Sequence, residues 1–205
     1  MLKRLNFMLA IGLVFTVFAC YPGGAEFVDE LDTSISKYDD EYAWDALSGK
    51  TYSIPDKITY VKDGKPVLAP DRKHDAAIKA QLREEYGNLG MTEVAEGVDP
   101  NIAVAITIIE QNNTGAAWIP GGGWWGGYPG WGWGGYYPWY PVYYSFKTGS
   151  VVIEKGDYDN RDEVEETIPL IYSGVLDGLL QGSDDYIGDR IERGIDELFN
   201  QVPFN

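Results

Sequence analysis

The sequence predicts an α+β fold: an antiparallel or mixed sheet with two helices packed on one face and a long Gly/Trp/Tyr-rich insert between strands. Three features predict it. Apolar residues recur at helical spacing within residues 71–88 and 183–200. Short runs rich in β-branched and aromatic residues lie before and between these segments. Residues 118–144 hold six of the seven tryptophans and no charged residue, with glycine and proline too dense for regular helix or strand.

In chain order, residues 27–35 read as a first strand, and further extended candidates follow at 42–44 and 51–54, the latter stopped by Pro55 and Asp56. Residues 58–61 alternate in strand fashion, and Asp63-Gly64 is a turn signal that closes a hairpin onto residues 66–68. Asp71, directly after Pro70, is the expected N-cap of a helix running to about Asn88. Its apolar stripe is Ile78, Leu82, Tyr86 and Leu89, with Lys79, Arg83 and Glu84 outside it, and Gly87 or Gly90 is expected to end it. Residues 102–109 are nearly continuous β-branched and small apolar residues, which favours a central strand buried on both faces. Residues 142–147 and 150–155 flank Thr148-Gly149 and read as a hairpin. Residues 168–180 begin strand-like, yet Val175, Leu176, Leu179 and Leu180 also suit a helix. Ser183 is expected to cap the last helix, to about Asn200, with Ile187, Ile191, Ile195 and Leu198 as its stripe. Gly188 and Gly194 interrupt that helix at up to ~1 kcal/mol each relative to alanine, and close packing on the sheet is the expected reason for them.

The start of the chain carries a different signal. Met1-Leu2-Lys3-Arg4 precedes an apolar run over residues 5–18, then Ala19 and Cys20, the only cysteine. A charged start, a short apolar stretch and a small residue before the cut are the parts of a secretory signal. A cysteine directly after them, in Val17-Phe18-Ala19-Cys20, is similar to the lipobox of bacterial lipoproteins. The run is about 15 residues, short of the ~20 that cross a bilayer, which argues against an uncleaved helical anchor. Plain secretion is the other alternative, and it leaves an odd thiol with no internal partner. The domain plan is therefore a lipoprotein signal peptide at 1–19, a lipidated linker at 20–26 and a single α+β domain at 27–205, with the aromatic insert at 118–141. Diacylglyceryl and N-acyl (palmitate-type) chains on Cys20 attach such a protein to a lipid bilayer. One chain binds marginally, at about 0.8 kcal/mol per buried methylene, and three bind for practical purposes permanently. Tyr21, rather than Asp, follows the cysteine, so the outer membrane is the expected destination within the cell envelope, with the leaflet open.

Loss of Lys3 and Arg4 with the leader turns a formal charge of −16 into −18. So acidic a body repels phosphate backbones, and nucleic acid is not an expected partner. The mature length, about 185 residues, suits one domain, and 44% hydrophobic with 14% aromatic residues excludes a wholly disordered chain.

The insert supplies the candidate contact residues: Trp118, Trp124, Trp125, Trp131, Trp133 and Trp139. Exposed Trp and Tyr stack on sugar rings, settle at a lipid–water interface or anchor protein interfaces. A low-complexity loop with no ligand has the same composition.

No catalytic set emerges. The one histidine, His74, stands beside Lys73 and Asp75 as a surface residue without a motif. G-x-S-x-G, H-E-x-x-H, the phosphate-cradling G-x-x-x-x-G-K-[ST] and a G-x-G-x-x-G after a strand are all missing. The acidic residues around Asp157, Asp159, Asp162 and Glu163 offer oxygens as a calcium loop does, but Arg161 stands where a ligand belongs, so a solvated acidic turn is expected. No cofactor and no metal is expected, and an enzyme is not.

The chain resembles a family of uncharacterised bacterial lipoproteins, domain of unknown function 4136, in its Bacteroidetes-type branch. The similar elements are Cys20-Tyr21-Pro22-Gly23-Gly24-Ala25-Glu26, Asp29-Glu30-Leu31-Asp32, and Lys50-Thr51-Tyr52-Ser53-Ile54-Pro55-Asp56. Later come an aromatic insert, Thr148-Gly149-Ser150-Val151-Val152-Ile153, Gly174-Val175-Leu176-Asp177-Gly178-Leu179-Leu180, and the terminal Ile191, Ile195, Phe199 and Pro203. The resemblance implies an α+β lipoprotein domain and transfers no catalytic residue. The expectation is a membrane-anchored envelope lipoprotein with a non-catalytic binding or structural role. The alternative is a glycan-binding module or envelope enzyme that uses the insert as a substrate platform, with an envelope protein or a glycan as partner.

Overall fold

A computed structural model describes residues 33–62, 65–68, 72–95, 97–110, 149–164, 167–178, 180 and 183–201. Within them the strands are β1 (Thr33–Tyr38), β2 (Thr51–Ser53), β3 (Thr59–Lys62), β4 (Lys65–Val67), β5 (Thr92–Glu93), β6 (Ile102–Glu110), β7 (Ser150–Asp157) and β8 (Leu170–Asp177). The helices are α1 (Asp75–Asn88) and α2 (Asp184–Asn200). The strands form one mixed sheet in the order β1-β8-β7-β6, beyond which β2 and β3 both run parallel to β6. β5 then pairs parallel to β2, and β4 antiparallel to β3. This is the α+β architecture the sequence predicts.

β6 and β7 form the centre: every residue from Ile102 to Ile109 and from Ser150 to Asp157 is buried. β2 and β3 together make one interrupted strand along β6. Six steps from Ser53 to Thr59 lie opposite only four from Ala103 to Thr107. Pro55, inside the gap, has no N–H to give a ladder, so the chain bulges there and resumes.

Strand direction defines two ends of the sheet. Thr33 pairs with Asp177, Leu176 with Val151, and Ile109 with Ser150, which sets the start of β1 and the end of β6 at one, upper, end. The end of β1 and the starts of β6 and β8 lie at the lower end. By strand rise, β8 spans roughly 24 Å between them.

Both helices cover one face. Ile78, Leu82 and Tyr86 of α1 and Ile187, Ile191, Ile195 and Leu198 of α2 join Val104, Ile106, Ile108, Val151 and Ile153 in one core. α2 crosses the strands: Asp184 near its start pairs with Lys73 at 2.5 Å, and Gln201 after its end donates to the Ser34 carbonyl at 2.9 Å. Among the described residues no helix is long and apolar enough to cross a membrane.

Several expectations are corrected. Residues 42–44 are not extended: Trp44–Ala46 is a 3-10 turn, held by a hydrogen bond from Trp44 Nε1 to the Asp39 carbonyl at 2.6 Å. α1 starts at Asp75 instead of following Asp71, because Asp75 is tied there by Arg72 at 2.7 Å and by the Tyr60 hydroxyl at 2.9 Å. Residues 170–177 are strand throughout, so the helical option for Val175 and Leu176 fails. Of the hairpin expected across Thr148-Gly149, residues 142–148 lie outside the described residues, and the strand that follows, β7, pairs with β6 on one side and β8 on the other. Finally, an added Cβ at Gly188 meets nothing within 4 Å, so close packing does not explain that glycine. β5 is two residues long and carries no periodicity in the sequence.

Candidate functional site

Residues 150–157 alternate across the sheet, so the adjacent charges Glu154 and Lys155 are sent to opposite faces. Lys155 points to the helix face. Its ammonium lies 4.0 Å from the ring centres of Tyr172 and Phe199 and 5.3 Å from that of Tyr86, one ring each from β8, α2 and α1. The side chain is 1% exposed. Burial pushes its pKa well below the usual 10.5, and the carboxylate of Glu85 pulls it part of the way back. Burial likewise raises the hydroxyls of Tyr86 and Tyr172. The box joins β7, β8, α1 and α2 at the helix–sheet interface.

Glu154 points to the other face. The cross-strand register places it in a row with Ala105, Ser173 and Lys37, on four successive strands. Glu154 is 9% exposed, and burial raises its carboxyl from 4.5 to about 7. Ser173 and Lys37 also border a cleft of about 310 Å³ at the lower end, with Tyr38, Asp39, Asp40 and Tyr172. The sequence signal for both buried charges is the Glu154-Lys155 pair itself, which by pattern alone reads as an edge, where strand charge usually lies.

The acidic residues after β7 engage protein groups. Asn101 Nδ2 donates to Asp159 at 2.9 Å, Asn160 to Asp157 at 2.7 Å, and Arg161 pairs with Glu163 at 3.2 Å and Asp99 at 3.6 Å. Among the described residues no three His, Cys, Asp or Glu side chains gather as a metal would require. His74 occupies the N-cap position of α1, half-buried, without a side-chain cap.

Cys20 and all six candidate tryptophans lie outside the described residues. What the structure does define is where their segments join the sheet. Gly149 N–H donates to the Ile109 carbonyl at 3.1 Å, and Leu180 N–H to the Gly149 carbonyl at 3.1 Å, so the base of the 111–148 connection is closed. Gly149 holds φ +85°, and a Cβ there would sit 2.8 Å from Leu180 Cβ. Beside it, Ser150 Oγ donates to Asp177 at 2.6 Å and the buried Arg190 to the Gly178 carbonyl at 2.7 Å. The upper end is a braced platform.

Comparison with known proteins gives the following. No curated protein matches the chain. A crystal structure of a DUF4136 family protein from Bacteroides thetaiotaomicron superposes with a TM-score of 0.63 at 22% identity, covering 84% of this chain and 96% of that one. A PelC dodecamer from Paraburkholderia phytofirmans gives 0.35 at 9% identity, covering 82% and 96%. Residues 35–204 match the family described as Domain of unknown function (DUF4136). That match runs from within β1 through α2; the chain belongs to the DUF4136 family.

Proposed function

We propose that this protein is a cell-envelope lipoprotein, anchored in a bilayer through acylated Cys20, whose domain has a non-catalytic binding or structural role. The observation that carries the anchor is Cys20 itself, behind a charged start, a short apolar run and Ala19. The binding role draws support from how the connection 111–148 meets the sheet. β6 and β7 are adjacent antiparallel strands paired up to Ile109 and Ser150, and a two-residue turn closes such a pair. The strand pairing itself does not require the extra length, and connections so long are commonly functional or disordered. Six tryptophans without a charge suit contact with a lipid interface or an envelope partner. Burial of Lys155 and Glu154 in the sheet favours a binding or structural use of each over catalysis.

Two preparations test this. Cys20→Ala should shift the protein from the membrane to the soluble fraction and abolish acylation; a variant still acylated and membrane-bound contradicts the anchor. Deletion of residues 121–138 should weaken binding to lipid vesicles or to an envelope partner recovered by crosslinking. Loss of peptidoglycan binding alone would instead favour a glycan-binding module.

A further inference from the structure

We infer that Glu154 is the inner end of a binding site for a small organic cation, an alkylammonium or alkylguanidinium, held in the cleft at the lower end of the sheet. The site involves neither Cys20 nor the connection 111–148, so it stands or falls apart from the anchor.

The first observation is a carboxyl without a partner. Every other buried charge among the described residues has one. Asp75 is tied to Arg72 and Tyr60, Asp157 to Asn160, Arg190 to the Gly178 carbonyl, and Lys155 lies among three rings. Glu154 is 9% exposed, and burial alone shifts its carboxyl, with no hydrogen bond and no neighbouring charge contributing. A buried polar group left unpaired costs stability and calls for a partner that the protein itself does not supply. On this face β6 and β8 present only the short side chains of Ala105 and Ser173 to it. The charges at the cleft, Lys37, Asp39 and Asp40, are two strands away at β1.

The second is the cleft. Tyr38 and Tyr172 face the helix layer, Tyr38 edge-on to Trp44 and Tyr172 beside Lys155. The ladder runs one step past β1, where the Asp39 N–H donates to the Ile171 carbonyl at 2.9 Å. Alternation therefore sends Lys37, Asp39 and Ser173 to the other face, the face of Glu154. All three border the cleft, whose volume of about 310 Å³ suits a small molecule. Ser173 and Glu154 are direct cross-strand neighbours, with Cβ atoms roughly 5 Å apart, so the carboxyl lies within a side chain's length of the cleft's inner wall.

The third is the sign of the charge. Asp39 and Asp40 stand at the mouth, and the Asp39 carboxylate is fixed there by the Glu41 N–H at 2.9 Å. With Glu154 ionised, three carboxylates stand against one ammonium, that of the exposed Lys37. An anion meets net repulsion in such a cleft. A cation is drawn in and finds an unpaired carboxylate at the inner end, with the Ser173 hydroxyl beside it as a second acceptor. Leu170 and Ile171 supply apolar wall for an alkyl stem.

The test is isothermal titration calorimetry of the full-length protein in neutral detergent. The probes are agmatine and cadaverine, which carry a guanidinium and an ammonium head, and uncharged 1,5-pentanediol. At least one of the two cations should bind at pH 8, and the diol should not. Because the carboxyl titrates at about 7, affinity should fall roughly thirtyfold from pH 8 to pH 5.5, and binding at pH 7 should release about half a proton per site. That proton count is read on the parent protein and needs no variant to fold. Glu154→Gln should weaken binding roughly tenfold or more and abolish the proton release. Asp189→Asn, an equal loss of charge at an exposed position of α2, should leave both unchanged. No heat from either cation, a diol that binds as tightly, equal weakening by the two variants, or cation binding without proton release overturns the site. Each of these outcomes leaves the anchor at Cys20 untouched.

Discussion

Two adjacent side chains, Glu154 and Lys155, carry opposite costs on opposite faces of one strand. Burial raises the Glu154 carboxyl from 4.5 to about 7. Stability from the neutral acid is then complete below pH 4.5 and is lost as pH rises through about 7. At about 1.4 kcal/mol per pKa unit the loss amounts to roughly 3 kcal/mol. Glu154→Gln should therefore be more stable than the parent at pH 8 and indistinguishable from it at pH 4, as urea midpoints at the two pH values will show. Lys155 behaves in the reverse sense. Its folded pKa lies below 10.5, so the unfolded chain holds more protons in between, and stability rises with pH across that window up to about 10.5. Lys155→Met keeps the aliphatic stem and the packing on Tyr172 and Phe199. It should add about 1–3 kcal/mol at pH 7 and flatten the rise between pH 7 and 10; an unchanged slope would mean that the amine titrates normally.

At the scale of the element, glycines separate by what surrounds them. Gly188 is inside α2 with no neighbour within 4 Å of an added Cβ, so Gly188→Ala should stabilise by up to about 1 kcal/mol in thermal unfolding. Gly174 in β8 is the opposite case: a Cβ there would lie 2.5 Å from the Tyr172 hydroxyl and 2.9 Å from Leu198 Cδ1. Gly174→Ala should cost about 1–3 kcal/mol by overpacking the α2–sheet contact. What was legible in the sequence follows the same logic. The stripes of α1 and α2 and the continuous run in β6 announce themselves because their apolar period is set by the element's own geometry. The start of α1 was not legible, since Asp75 is fixed by Tyr60 and Arg72, one of them far away in the chain. Nor was the pairing of β7: Thr148-Gly149 looks like a local turn, whereas Ser150 pairs with Ile109, across the whole insert. The Lys155 box was hidden for the same reason, as its three rings come from three separate elements.

For the whole molecule, the β6–β7 ladder is closed at Ile109, Gly149 and Leu180 by backbone bonds among described residues. Removal of residues 121–138 should leave the melting temperature within a few degrees of the parent, because the ladder from Ile102 to Ile109 closes without them. A large drop would show the segment to be part of the domain's own packing. Membership of the DUF4136 family and the superposition on the Bacteroides thetaiotaomicron protein bear on this framework of sheet and helices. The lipobox-like start and the aromatic segment are signals of the sequence alone, compositional ones that need no fold to be read. The address proposed for the molecule depends first on the chemistry at Cys20. The most direct measurement is mass spectrometry of the N-terminal peptide of the mature protein purified from membranes. The account predicts a chain that begins at Cys20 and carries diacylglyceryl and N-acyl groups. An unmodified Cys20, or a mature chain that begins at any other residue, would contradict it.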